Sequence, residues 1–179
     1  MSEVVSIQLV KVLVSENKTL LEIGRQTFYD AFGPPVNTEK NINEYLNKKF
    51  TLDQITKEFN NKNSFFYFAK YKNSIVGYLK LNILDAQTED VKGNTLEIER
   101  IYVLKEFQGK KIGHQLIQET IKIAKNKNVD FIWLGVWQKN PKAIQFYQKN
   151  GFIPFDKHQF KLGTDIQTDI LMKRKLTEK

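Results

Sequence analysis

Residues 129–137 read Val-Asp-Phe-Ile-Trp-Leu-Gly-Val-Trp, apolar almost without interruption. The run is far shorter than the ~20 residues a membrane-spanning helix needs. It also lacks the alternation of a strand with one wet face, so it reads as a strand at the centre of a sheet. The rest of the chain must supply its neighbours. Residues 4–14 read as a strand, with Ile7, Leu9, Val12 and Val14 apolar among polar residues. Ser15 or Asn17 is placed to cap a helix running to Phe32, and Gly33-Pro34-Pro35 stops it. Thr38 opens a second helix through Ile42, Tyr45, Leu46 and Phe50. Thr51 followed by Gln54 is the capping-box signal of a short third. Residues 64–71 and 74–84 are strand-like on either side of Lys72-Asn73, which reads as a hairpin. Polar residues 85–94, with Gly93, form a loop before a strand over 96–104. A helix over 110–128 carries Ile112, Leu116, Ile117, Ile121 and Ala124 as an apolar stripe. After the central run, Asn140-Pro141 supplies a favoured N-cap and a favoured first helical residue. Gly151 ends that helix. Residues 152–162 and 167–176 close the chain as two strands around Gly163. No repeat or low-complexity linker interrupts the series, so residues 1–179 are read as one α/β domain with a mixed sheet.

Composition narrows the chemistry. With 13 Phe, 7 Tyr and 2 Trp the chain has ample core material and does not read as disordered. Cysteine is absent, which rules out disulfides, thiolate zinc sites and a cysteine-based covalent intermediate. Two histidines, His114 and His158, are a thin basis for zinc, so no metal is expected. No Gly-x-Ser-x-Gly elbow is present to serve a hydrolase triad. The net charge of +8 suits nucleic acid, an anionic membrane or a phosphorylated cofactor. The lysines are spread along the chain without a dense block, so nucleic acid is not an expected partner. No run is long enough to span a membrane, and Met1-Ser2-Glu3-Val4 lacks the features of a signal peptide, so the cytoplasm is the expected location.

The segment Gln108-Gly109-Lys110-Lys111-Ile112-Gly113-His114 joins a strand to a helix. Such a junction gathers unpaired backbone N–H groups at the positive end of a helix dipole, where phosphate oxygens bind. Glycine permits close backbone approach, and Lys110 and Lys111 add positive charge. The segment is not a Walker loop, and Gly109 and Gly113 are wrongly spaced for a dinucleotide fingerprint. An ordinary strand-to-helix turn with two solvated lysines is the competing reading.

From Glu97 to Phe152 the chain resembles the GNAT superfamily of N-acetyltransferases. The matching residues are Ile101-Tyr102-Val103, the loop from Gln108 to Gly113, Asn140-Pro141-Lys142-Ala143, Phe146-Tyr147 and Gly151-Phe152. Lys111 stands where the family loop usually has a glycine, and is expected in the first helical turn, where a side chain is sterically acceptable. The order of elements agrees along nearly the whole chain. A closer similarity is to PaiA-like polyamine acetyltransferases, carried by Leu96-Glu97-Ile98-Glu99-Arg100-Ile101-Tyr102, Ile132-Trp133-Leu134-Gly135-Val136-Trp137 and Gln167-Thr168-Asp169. The resemblance implies a GNAT fold: a twisted mixed sheet of about six to seven strands, flanked by about four helices and splayed at the cofactor site.

The resemblance also implies acetyl-CoA as co-substrate and a polyamine of spermidine or spermine type as acceptor. The pantetheine arm would pair with the edge of Ile101, Tyr102 and Val103. The pyrophosphate would rest on the amides of Gln108, Gly109, Lys110, Lys111, Ile112, Gly113 and His114. Asn140 would meet the pantetheine, and Lys149 is placed to reach the nucleotide phosphate, with a plain solvated lysine as the alternative. Tyr147 would protonate the departing thiolate, since a phenol of pKa about 10 stays protonated at neutral pH. Glu99 would act as base, through water. Glu97, Glu99, Asp30 and Asp85, and more weakly Glu89 and Asp90, are the carboxylates available to a cationic acceptor. In a regular strand Glu97 and Glu99 share a face with Ile101 and Val103, and a bulge would break that register. Two other functions stay open: acetylation of a protein N-terminus or lysine, and a CoA-binding or DNA-linked regulator without turnover. The oligomeric state is open, with a homodimer among the arrangements allowed.

Overall fold

A computed structural model of the chain describes residues 5–176. Its elements run β1 (Gln8–Lys11), α1 (Asn17–Phe32), α2 (Glu39–Lys49), α3 (Leu52–Asn60), β2 (Ser64–Tyr71), β3 (Ser74–Ile83), β4 (Thr95–Val103), α4 (Ile112–Asn126), β5 (Phe131–Trp137), α5 (Pro141–Lys149), β6 (Ile153–Leu162) and β7 (Asp165–Lys175). Short 3-10 turns lie at Val14–Glu16, Leu84–Ala86 and Lys105–Phe107.

Local chemistry explains most of the boundaries. Thr38 Oγ1 accepts the Asn41 amide at 3.2 Å, Thr51 Oγ1 accepts Gln54 N at 3.1 Å, and Asn140 Oδ1 accepts Ala143 N at 3.1 Å ahead of Pro141. Each satisfies one of the amides that a helix start leaves without an intrahelical acceptor. Three expectations need correction. Gln54 donates its side-chain amide to Glu58 at 3.0 Å, and its side-chain oxygen accepts no bond from the Thr51 amide among the described residues, so only half of the capping box forms. Neither Ser15 nor Asn17 caps α1, because a 3-10 turn leads into it and Glu16 accepts the Leu13 amide at 2.9 Å. The first strand is shorter than the apolar pattern suggests: its ladder with β2 covers Gln8–Lys11, and Val4 lies outside the described residues.

The described strands form one sheet in the order β1-β2-β3-β4-β5-β7-β6. The β4–β5 pair is parallel, joined by the α4 crossover, and the other neighbours are antiparallel. This mixed α/β sheet is the expected fold class, and β5 does lie inside it. The stripe of α4 (Ile112, Leu116, Ile117, Ile121, Ala124) packs with α5 on one face, over Leu79, Leu81, Ile98, Ile132 and Leu134. Helices α1–α3 cover the other face with Leu20, Ile23, Phe28, Ile42 and Ile55.

Two irregularities create a site in this sheet. The β4–β5 ladder pairs only Thr95, Leu96 and Glu97 with Phe131, Ile132 and Trp133, after which the strands separate. In the β3–β4 ladder Lys80 pairs with Arg100 but Leu81 with Ile98, so Glu99 is an extra residue, a bulge.

Candidate active site

The loop between β4 and α4 presents its amides as anticipated, with one exception. Gln108 N is taken by the Lys105 carbonyl at 3.2 Å, while its side chain donates to the Val103 carbonyl at 3.1 Å. From Gly109 to His114 no backbone amide has an acceptor among the described residues; the first helical bond of α4 runs from Gln115 N to Lys111 O. The run of free amides is therefore residues 109–114. Gly109 has φ +77°, and Lys111, the residue before α4, has φ 62° and ψ 14°. Helix α4 begins at Ile112 and not at Lys110, and Lys111 is left-handed, not in the first helical turn. The family's usual glycine at this place fits that backbone, and lysine adopts it against a steric cost. Lys111→Gly should stabilise the fold by about 1 kcal/mol, read as a higher urea midpoint. A lower midpoint would contradict the left-handed assignment. Gly113 serves a close approach: a Cβ there would stand 3.2 Å from the Phe146 ring of α5.

Beyond Glu97 the β5-facing edge of β4 has no strand partner, and it carries Ile101, Tyr102 and Val103. Opposite it, α5 brings Tyr147 against Phe146 and Phe152, with ring centroids at 5.2 and 5.9 Å. The Tyr147 hydroxyl has no hydrogen-bond partner among the described residues, and burial pushes its pKa well above that of an ordinary phenol. The Tyr102 phenol on β4 lies within electrostatic reach of the Tyr147 hydroxyl. Asn140 uses its carbonyl oxygen for the cap, and its side-chain amide has no acceptor among the described residues. His114 Nδ1 lies 2.7 Å from Asn150 Oδ1, tying the first turn of α4 to the end of α5. Lys149 is exposed next to that link and lines an open cavity of about 510 Å³ with His114, Lys125, Arg174 and Lys175.

On the face under α1–α3 the carboxylates meet buried cations. Lys80, 4% exposed, contacts Glu58 at 3.0 Å and also Glu99. Arg100 pairs with both oxygens of Glu58 at 3.0 and 3.1 Å and approaches Glu99 at 3.3 Å. Asn82 donates to Glu97 at 3.0 Å and to Glu99 at 2.6 Å. Burial opposes the charge of Glu99, but Arg100 first and then Lys80 overcome it and hold the carboxyl below its ordinary value. Glu97 accepts from the Thr88 amide at 2.9 Å and from its hydroxyl, yet burial and the Glu99 charge push its pKa up. The two glutamates do not share a face with Ile101 and Val103. The extra residue at Glu99 reverses the alternation, so Glu97, Arg100 and Tyr102 line the α1–α3 face while Ile101 and Val103 pack under α4.

The remaining carboxylates are elsewhere. Asp30 is exposed on α1 and accepts from Gln26 at 2.9 Å. Asp85 is exposed and accepts from Asn63 at the head of β2. Neither contacts Glu97 or Glu99. Glu89 lies 3.7 Å from His158 on β6, and Asp90 is exposed. Sequence reasoning missed Lys80, Asn82 and Glu58. The available signal was Ser74-Ile-Val-Gly-Tyr-Leu-Lys-Leu-Asn-Ile83, an apolar strand with a lysine and an asparagine inside it. A charged residue in such a strand is buried only with partners.

A strand pair that opens beside a loop of free amides, at the head of a crossover helix, is the arrangement that the resemblance to N-acetyltransferases implies. The family model for the acetyltransferase (GNAT) family matches residues 25–152, and the chain belongs to that family. It is 39% identical over 170 residues to an uncharacterized N-acetyltransferase in the pepI 3′ region of Lactobacillus delbrueckii subsp. lactis, covering 95% of this chain and 98% of that one. It is 28% identical over 151 residues to the spermidine N(1)-acetyltransferase of Thermoplasma acidophilum, covering 82% and 88%. The crystal structure of PaiA N-acetyltransferase from Thermoplasma acidophilum in complex with coenzyme A matches with a TM-score of 0.75 and 25% identity, over 95% of this chain and 99% of that one.

Proposed function

We propose that the chain transfers the acetyl group of acetyl-CoA to a primary amine of a polyamine, by direct attack in a ternary complex. The observation that carries this reading is the opening of β4 from β5 after Glu97. It lies between the amide cradle at the head of α4 and the carboxylates under α1–α3. The likeness to a spermidine acetyltransferase supports the choice of acceptor.

In this mechanism the diphosphate rests on the amides of residues 109–114, with Lys110, Lys111 and Lys149 adding charge. The pantetheine arm lies along Ile101, Tyr102 and Val103, close to the side-chain amide of Asn140. Free amides on that edge polarise the thioester carbonyl and hold the developing oxyanion. The amine nitrogen bonds to the carbonyl carbon, the C–S bond breaks, and Tyr147 protonates the departing thiolate. Glu99 takes the amine's proton through water. An alkylammonium has a pKa near 10, like lysine, and must lose a proton before it attacks.

Because Arg100 and Lys80 keep Glu99 ionised through the whole neutral range, the alkaline rise of kcat/KM should follow the amine and not Glu99. Glu99→Gln is expected to lower kcat/KM by about 10²-fold without moving that limb. An unchanged kcat/KM in the variant would remove Glu99 from the base role. The reading as a whole is tested by acetyl-CoA-dependent CoA release against spermidine, spermine, monoamines and lysine peptides. Turnover confined to peptides would overturn the polyamine acceptor.

A further inference from the structure

We propose that Asp169, leaning over Gly135 on the α1–α3 face of the opened sheet, binds the second ammonium group of a diamine or polyamine acceptor and so selects these over monoamines. This rests on the amine-acetyltransferase reading above and names a residue that decides its specificity.

The alternation of β5 sends Ile132, Leu134 and Val136 into the core under α4. Trp133, Gly135 and Trp137 therefore point to the opposite face. Trp133 is buried there and donates to Gln87 at 2.7 Å. Gly135 is exposed, although its neighbours Leu134 and Val136 are buried, so a notch opens between two tryptophans. Asp169 stands opposite Trp137 in the β5–β7 ladder. A Cβ placed at Gly135 would lie 3.5 Å from Asp169 Oδ2, so the carboxylate overhangs the notch.

Elimination singles out this carboxylate. Glu58, Glu97 and Glu99 are held by Lys80, Arg100, Asn82 and Thr88, and Glu89 approaches His158. Asp169 is partly buried, and its carboxylate has no hydrogen bond or ion pair among the described residues. Burial raises its pKa, an effect only partly offset by His158. His158 sits opposite Asp169 in the β6–β7 ladder, and its Nδ1 is buried without a hydrogen-bond partner among the described residues. Buried polar atoms in native structures nearly always find partners, and of these two groups the partly open Asp169 carboxylate is the one a ligand can reach. The Tyr45 phenol, edge-on to Phe160 at 5.5 Å, feels the charges of both Glu99 and Asp169. The notch and the Glu99 cluster thus lie on the same face of the sheet, both within electrostatic reach of the Tyr45 phenol. One amine of a dication reaches the thioester near Glu99 while another rests on Asp169.

The test compares wild type, Asp169→Asn and Gly135→Val with spermidine and with butylamine. A charge-assisted hydrogen bond of this kind supports an expected fall of about 30-fold in kcat/KM for spermidine, mainly through KM. Butylamine should change by less than about twofold, because it has no second ammonium to lose. Gly135→Val fills the notch with a residue suited to a strand and should reproduce the pattern. Acetyl-CoA titration confirms that each variant keeps its fold. Equal losses for both amines, or no loss for either, would overturn the role of Asp169 while leaving the acetyltransferase reading intact. If wild type acetylates no amine, that reading fails separately. Calorimetric binding of spermidine to the CoA complex then decides on Asp169: binding weakened in Asp169→Asn supports it, and equal or absent binding overturns it.

Discussion

Tyr147→Phe should lower kcat by about 10²-fold or more, with the dissociation constant for acetyl-CoA almost unchanged. The substitution removes one hydroxyl and leaves the ring where it packs between Phe146 and Phe152. The hydroxyl holds no other group of the described chain in place, so its loss disturbs little structure. Its pKa is raised by burial, so it carries its proton at every pH where the protein works. A thiolate leaving beside it can then be protonated or solvated by that one donor. Stopped-flow acetyl transfer, measured alongside a calorimetric titration, separates the two quantities. Unchanged turnover would take Tyr147 out of the acid role. Loss of acetyl-CoA binding would show that it is structural.

The second large effect falls on stability. Lys80→Met should destabilise the fold by about 3–5 kcal/mol, the usual consequence of removing one member of a buried ionic network. Lys80 is 4% exposed and neutralises Glu58 and Glu99 together. Without it those two carboxylates share Arg100 alone. The double variant Lys80→Met, Glu58→Gln should recover part of the loss, because the buried uncompensated charge goes with it. Urea denaturation reads both, and simple additivity of the two single losses would contradict a coupled cluster. The same network sets an acid limit. The lowered pKa of Glu99 contributes stability that is complete above the unfolded value of about 4.3 and is lost as pH falls through the folded value. Glu99→Gln should therefore flatten the dependence of stability on pH below about 4.3.

Periodicity and caps made most of the fold legible. The apolar run at 129–137, the hairpin around Lys72-Asn73, and the caps at Thr38, Thr51 and Asn140 all rest on interactions between near neighbours in the sequence. What stayed hidden depended on partners far along the chain. The extra residue at Glu99 exists only in the pairing of β4 with β3, and it puts Glu97 on the face of Arg100 and Tyr102, where a regular strand would place it with Ile101 and Val103. Lys80 appeared as one lysine among many until Glu58, from α3, was seen against it. Lys111 showed the reverse: the departure from the usual glycine was visible in the sequence, but the left-handed backbone it must adopt was not. The run of free amides was legible in kind, yet Gln108 uses its own amide in the preceding turn and drops out of it.

Calorimetric titration of the chain with acetyl-CoA, repeated in the presence of inorganic pyrophosphate, addresses the unpaired amides of residues 109–114 most directly. One equivalent of acetyl-CoA per chain, weakened by competing pyrophosphate, is the expected result. Absence of binding, or binding indifferent to pyrophosphate, would contradict the diphosphate cradle on which the acetyl-transfer geometry depends.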